Sequence, residues 1–247
     1  MKQIAMKFFP IYIFLSFSAI IFSQQLSGKV TYVASMIPIP DKKIDSLLST
    51  RKSKNKKMND LVKNMFKNTP NVNTYLEFTN GESIYYVEEE MEIDGKSTLN
   101  INRISAGGDD KVYKNTSTKE YLKEYKREHL LIEKKEKKWK VTQESKKIGE
   151  YLCFKAIDIA STNTKMKPIA WFTPQIPVSF GPLDFNGLPG LVIRVEMAGG
   201  RTFSASKIVL NPNEKMEIIK PTKGKRISEA QFKERLIVLK NSLEKNK

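Results

Sequence analysis

The chain contains one cysteine, one histidine and two tryptophans in 247 residues. A lone cysteine excludes an intramolecular disulfide, so stability has to come from burial. One cysteine and one histidine also fall short of the ligand set of a structural zinc site, and neither HExxH nor CxxC spacing occurs. The GxSxG elbow and the Walker and dinucleotide phosphate loops are absent as well. No catalytic residue, metal ligand or cofactor is therefore assigned. The one nucleophilic pairing the composition permits is Cys153 with His129, which defines a hydrolase alternative. Against it stands Cys153 as a small buried hydrophobe in the strand GEYLCFKAIDI, where Tyr151, Cys153 and Lys155 share one face.

Long apolar runs are scarce too. The longest, Phe8 to Phe22, is broken by Pro10, Ser16 and Ser18 and falls short of the roughly 20 residues that cross a bilayer. It follows Lys2 and Lys7 and precedes Ser23-Gln24-Gln25, the layout of a secretory signal peptide cut after Ser23. No cysteine follows the cut to carry a lipid. The expected mature chain is residues 24–247, one β-rich domain, periplasmic or secreted, and not an integral membrane protein. Its charge is lopsided: 43 Lys and Arg against 27 Asp and Glu give +16, or +14 without Lys2 and Lys7. The excess is mostly lysine spread along the chain rather than clustered arginine, and export argues against nucleic acid. An anionic envelope ligand, such as an acidic glycan or lipid surface, remains the functional reading of the charge.

What is present is mostly strand. LSGKVTYVASM alternates as an opening strand, and Asp41 to Asn68 then turns helical, with Ile44, Leu47 and Leu48 on one stripe and Met58, Leu61, Val62, Met65 and Phe66 on another. Asn80-Gly81 and Asp94-Gly95 predict type I′ hairpins between TYLEFT, ESIYYVEEEMEI and KSTLNINRI. In the middle strand Glu88, Glu90 and Glu92 share a side, a solvated edge rather than an acid/base pair. HLLIEKK and KWKVTQESKKI follow, joined by a tight charged turn. GEYLCFKAIDIA, KPIAWFT, LVIRVEMA and TFSASKIVL continue the strands, and MEIIK ends them. Ser228 and Gln231 form a capping box that starts a C-terminal helix over 228–245, with Phe232, Leu236, Leu239 and Leu243 packing on the sheet. The fold class is α+β and mainly β: an open, curved antiparallel sheet or half-barrel with a helical insertion at 41–68 and a C-terminal helix.

The most constrained stretch is GPLDFNGLPGL, Gly181 to Leu191, two Gly/Pro pairs around large apolar side chains. Leu188-Pro189-Gly190-Leu191 predicts a type II turn, because Pro presets φ near −65° and Gly accepts φ > 0. Together with WKVTQESKKIGEYLCFKA and AWFTPQIPVSF, this stretch resembles the GLPGLI family of exported proteins of double-membraned bacteria, with Val192 in place of the usual Ile. The matching positions include Trp139, Gly149, Cys153, Trp171, Gly181, Pro182, Gly187, Leu188, Pro189, Gly190 and Leu191. The resemblance implies an exported envelope protein and brings no catalytic residue with it. Since the matched side chains are mostly aromatic, apolar, Gly or Pro, they read as a packed signature. The functional expectation is a non-catalytic binding or accessory protein, its partner an outer-membrane or periplasmic protein. The alternative is a carrier in which Trp171, Phe172, Phe185 and Leu188 line an apolar cavity for an acyl chain, by architectural analogy with periplasmic lipoprotein carriers.

Overall fold

The computed structural model describes residues 26–37, 40–49, 56, 59–60, 63–64, 69–89, 100–161 and 167–245. The signal segment, Asp94-Gly95, Glu90, Glu92 and the stripe from Met58 to Phe66 lie outside them. Twelve strands form one sheet: β1 (Gly28–Met36), β2 (Val72–Thr79), β3 (Glu82–Val87), β4 (Lys111–Asn115), β5 (Glu120–Tyr125), β6 (Leu130–Glu133), β7 (Trp139–Ile148), β8 (Tyr151–Asp158), β9 (Ile169–Thr173), β10 (Leu191–Glu196), β11 (Arg201–Leu210) and β12 (Lys225–Ser228). Three helices have defined bounds among the described residues: α1 (Asp41–Ser49), α2 (Ile101–Ser105) and α3 (Glu229–Lys245). The β2–β3 hairpin closes as predicted, with Asn80 at φ +53° and Gly81 at φ +78°, the positive pair a type I′ turn needs.

The strand order is β12-β6-β5-β4-β3-β2-β1-β11-β10-β9-β8-β7, antiparallel throughout except for the parallel pair β12 and β6. The predicted tight turn after HLLIEKK is real in length but joins no hairpin. Five residues, 134–138, link β6 near one edge of the sheet to β7 at the other edge. A link of that length reaches about 20 Å, whereas ten strand steps laid flat span about 48 Å. The sheet must therefore curl back on itself. It does not close, because β12 and β7 are both edges and do not pair with each other.

Cross-strand register separates the two faces. The row Ala156, Ala170, Val195, Phe203, Ala34, Val72 runs over six strands and is buried throughout. One residue along, the row Lys155, Trp171, Arg194, Ser204, Val33, Asn73 is mostly polar and half-exposed. The first row is the concave, core-facing side and the second the convex side. On the concave side the core is completed by Ile176, Phe180, Phe185 and Leu188 from the segment between β9 and β10. A second, smaller cluster of Ile84, Tyr113, Leu122 and Ile218 covers part of the convex side. Ile218 belongs to MEIIK, which is not a strand: it lies across β3 to β5 in irregular conformation, and the last strand is Lys225–Ser228 instead.

The capping box forms as predicted, Ser228 N donating to Gln231 Oε1 at 2.9 Å and Gln231 N to Ser228 Oγ at 3.2 Å. The expected packing of the helix stripe does not follow. Phe232 meets Tyr125 edge-on at 5.2 Å between centroids, but Leu236 and Leu239 are exposed, because β12 and β6 offer only four residues each as a platform and the helix runs past them.

Candidate functional site

The segment from Ile176 to Leu191 acts as a plug in the half-barrel. Its two arms are tied side by side: Gly187 N donates to Ser179 O at 3.0 Å, Val192 N to Phe180 O at 3.0 Å and Leu191 N to Ile176 O at 3.0 Å. Because Leu191 N–H goes to Ile176, the predicted type II turn is not made. Gly190 N–H instead donates to Leu188 O at 2.8 Å, a three-residue turn centred on Pro189. Glycine is still required, for two reasons: φ at Gly190 is +155°, and a Cβ there would stand 2.2 Å from Thr173 O. At Gly181 the reason is space alone, since a Cβ would lie 2.3 Å from Phe185 O.

Asn186 organises the tip of the plug. Buried among apolar side chains, it accepts from Gly181 N at 3.0 Å through Oδ1 and donates through Nδ2 to Tyr121 OH at 3.4 Å. Its own carbonyl accepts from Trp139 Nε1 at 2.9 Å. The plug is thereby attached to β5 near one end of the sheet and β7 at the other. Around this contact the five-residue link 134–138 supplies charge. Lys137 pairs with Asp158 at 3.0 Å and Asp184 at 3.4 Å and lies 4.9 Å from the centroid of the Phe185 ring. Lys134 pairs with Glu229 at 2.6 Å, and Glu136 with the buried Lys114 at 2.7 Å. Burial pulls the Lys137 pKa down, and Asp184 and Asp158 outweigh it, leaving the ammonium raised from 10.5. Beside this seam opens a cleft of about 220 Å³ lined by Ser105, Gly107, Tyr121, Lys123, Lys134 and Asp184. Its lysines are already paired, Lys123 with Asp110 at 3.0 Å.

The structure divides the four residues proposed to line a cavity. Phe172, Phe185 and Leu188 face the concave core, with Phe172 6.2 Å from Phe154 and Phe185 6.2 Å from Trp139 between ring centroids. Trp171 is on the convex side, where the Lys146 ammonium sits 3.8 Å from its ring centroid. Neighbouring positions on a strand point to opposite faces, so Trp171 and Phe172 do not share a cavity. Trp171 is only 7% exposed, and among the described residues its Nε1 has no hydrogen-bond partner. An open cleft of about 540 Å³ does touch the plug, lined by Leu26, Pro177, Phe180, Leu188 and Pro189 among others.

Cys153 also lies on the convex phase, opposite Lys146 on β7, at 0% exposure. Its thiol donates to Tyr151 O at 3.6 Å, and burial pushes its pKa from 9.0 to about 11. His129 is exposed at a left-handed turn, φ +51°, ahead of β6. No hydrogen bond between the two is found among the described residues. Glu88 accepts from Tyr75 OH at 2.8 Å and Asn73 Nδ2 at 3.2 Å, both surface contacts. Among the described residues no group of His, Cys, Asp and Glu side chains is placed to hold a metal ion, and no helix is long and apolar enough to cross a membrane.

The residues that join the two ends of the sheet, Tyr121, Lys114, Lys134, Lys137, Asp184 and Asn186, carried little signal in sequence, because scattered lysines read as surface. Asp184 and Asn186 were the exceptions available, the two polar residues inside the apolar motif.

Residues 158–194 match the model of a family described as a protein of unknown function (Porph_ging). That range ends with the plug and the first four residues of β10. No curated protein matches the chain. Two solved structures of PNGF-II, in different space groups, match at 14% and 15% identity with TM-scores of 0.49 and 0.48. Each match covers 85% of this chain and 32% of that chain, so this chain spans about a third of the length of the solved structures it matches.

Proposed function

We propose that the chain is an exported, non-catalytic protein of the GLPGLI type that serves the cell envelope as a binding or accessory protein, in the periplasm or outside the cell. The observation that carries this reading is the plug. Phe180, Phe185, Leu188 and Ile176 occupy the concave side of the half-barrel at near-zero exposure, so recognition falls to the outer surface. Burying four such side chains contributes about 1.5–3 kcal/mol each to the fold, which makes the signature a stability element. The unpaired chemistry expected of a nucleophile is missing from Cys153, whose thiol is held protonated at neutral pH. A partner among outer-membrane or periplasmic proteins, or an anionic envelope ligand, fits the net charge of +14 that remains without Lys2 and Lys7.

Two measurements test this reading. Intact mass of the protein from envelope and culture fractions is expected to lack the first 22 to 25 residues, and retention of Met1 to Phe22 in a membrane fraction overturns the export claim. A fluorescent fatty acid added to the mature protein is expected to show no saturable binding. The carrier reading keeps one observation in its favour, the open cleft beside Phe180 and Leu188. Saturable micromolar binding that Leu188→Trp weakens without unfolding would establish it in place of the accessory role.

A further inference from the structure

The C-terminal part of the chain is packed apart from the main core. After β11 the backbone crosses the convex face in irregular conformation over residues 211–224, adds β12 in parallel to β6 and continues into α3. None of residues 211–245 belongs to the main apolar cluster. Of residues 211–242 only Ile218, Pro221 and Ile227 are buried. Ile218 sits in the small cluster with Ile84, Tyr113 and Leu122, and Ile227 in another with Leu130 and Ile132. The other attachments are the four-residue β12 ladder, Phe232 on Tyr125, and ion pairs within reach of water: Lys220 and Arg226 on Glu120, Arg235 on Glu128 at 2.7 Å, Lys134 on Glu229 at 2.6 Å. Units tied on by small satellite clusters and solvated pairs open at lower free energy than the core of a sheet.

What the arm covers is a strand edge made to be paired. β6 reads Leu130-Leu131-Ile132-Glu133, with its apolar side chains at 3%, 3% and 1% exposure, no lysine, and an unbroken register with β12 from Lys225 on Leu130 to Ser228 on Glu133. The opposite edge, β7, carries Lys140, Lys146 and Lys147 and a register break, features that discourage a further strand. The turn into β12 fits the same edge closely: Gly224, at φ +130°, brings Lys225 N to 2.9 Å from His129 O, and a Cβ at Gly224 would stand 2.7 Å from that oxygen. The link also has slack. Its fourteen residues, 211–224, reach about 48 Å when extended, against about 34 Å for the seven strand steps from β11 to β12.

We infer that residues 211–245 form a releasable arm and that, once it opens, the β6 edge receives the arm of a second copy. The occupant follows from fit. The segment that this edge accepts is the arm itself, with Ile227 packed on Leu130 and Ile132 and Arg226 against Glu120 and Glu133, and a second copy offers the same segment. Exchange in both directions repeats every contact and closes a two-fold dimer. Tethering holds the arm near its own edge at an effective concentration of roughly millimolar, so the closed monomer prevails in dilute solution. Arm exchange neither requires nor excludes the accessory role.

Amide exchange of the full mature chain is expected to show β12 and α3 exchanging together, at least ~10-fold faster than β1, β10 and β11. Dimer formation is then read by sedimentation on the full chain carrying Glu133→Cys and Ser228→Cys, partners in the β6–β12 register. Oxidised in dilute solution, this pair is expected to close within one chain and lock the arm down. At roughly 1 mM, in urea too weak to unfold the sheet and then returned to buffer, the reduced chain is expected to yield dimers and the oxidised chain monomers only. Amides of β12 as slow as those of β1, a cysteine pair that does not close, equal dimerisation of the locked and unlocked chains, or no dimer from the unlocked one each overturn the inference. So does capture by the opened monomer of a labelled basic peptide unrelated to the arm, which assigns the edge to another protein.

Discussion

Two glycines in the plug and one in a hairpin test which constraint matters at single positions. An alanine Cβ at Gly181 or Gly190 would stand 2.3 Å or 2.2 Å from a backbone carbonyl oxygen, Phe185 O and Thr173 O respectively, and neither oxygen moves without opening the plug. Gly181→Ala and Gly190→Ala are each expected to cost roughly 2–4 kcal/mol in urea denaturation. Gly149, at φ +58° in the β7–β8 hairpin, has open space around its missing Cβ, so Gly149→Ala is expected to cost only about 1 kcal/mol. Equal losses at all three would show that conformation, not close approach, sets the requirement. The thiol gives a second residue-scale check. Cys153 is held protonated by burial, with its pKa raised from 9.0 to about 11. A raised folded-state value contributes stability that is complete below pH 9 and lost as pH rises through about 11. Native protein is expected to react slowly with a thiol reagent at neutral pH and unfolded protein fast; rapid native labelling would show the side chain to be accessible.

Elements are held in this protein by a few polar contacts at their ends. Asn186 satisfies the Gly181 N–H at the neck of the plug while its carbonyl receives the Trp139 indole. Asn186→Ala leaves a buried donor without a partner and is expected to destabilise by roughly 1–3 kcal/mol. Amide exchange should show the effect first in the plug and in β5, where Tyr121 OH loses the Asn186 side chain. For α3 the capping pair Ser228 and Gln231 governs only the helix start. Ser228→Ala is expected to speed exchange of the first helical amides, equivalent to about 1 kcal/mol locally, with the sheet unchanged. The β7 edge illustrates how an exposed strand is kept from pairing with a neighbour: it carries Lys140, Lys146 and Lys147, and its register with β8 breaks between Val141 and Ser145.

Across the whole molecule the curl of the sheet depends on the link between β6 and β7. Lys137 compensates two carboxylates there, one of them the almost fully buried Asp158. Lys137→Met is expected to cost roughly 2–3 kcal/mol, less than a fully orphaned buried charge, because Asp158 also accepts from Ala160 N at 3.0 Å and Ser161 N at 3.2 Å. The pH dependence has two arms. The raised pKa of Lys137 keeps its contribution intact at neutral pH and loses it only as pH climbs past 10.5. Glu120 is held below 4.5 by Lys220 and then Arg226. Glu229, despite burial, is held below 4.5 by Lys134. Those contributions are present above pH 4.5 and fade as pH falls through the lowered values. Acid is therefore expected to release the 211–226 segment and α3 before the plug, a sequence that exchange measured through the acid range would reveal or refute.

Local chemistry was legible without coordinates wherever one or two residues decide the outcome. Asn80-Gly81 dictated its hairpin, Ser228 and Gln231 their cap, and the alternation around Cys153 the face it shares with Tyr151 and Lys155, because positive φ, side-chain reach and strand period are properties of neighbouring residues; its burial followed from the residue type. The mainly β class followed from the same periodicity. Tertiary structure alone decided which strands meet. HLLIEKK and KWKVTQESKKI are adjacent in sequence yet stand near opposite ends of the sheet order, and nothing within either strand encodes a gap of ten positions. The fate of Leu188-Pro189-Gly190 was settled likewise: Ile176 takes the Leu191 N–H that a type II turn would have used. Trp171 and Phe172 looked like one aromatic patch, and the sheet passes between them. In each case a distant part of the chain competes for a backbone group or a face, and that competition is invisible until the sheet has curled around its plug.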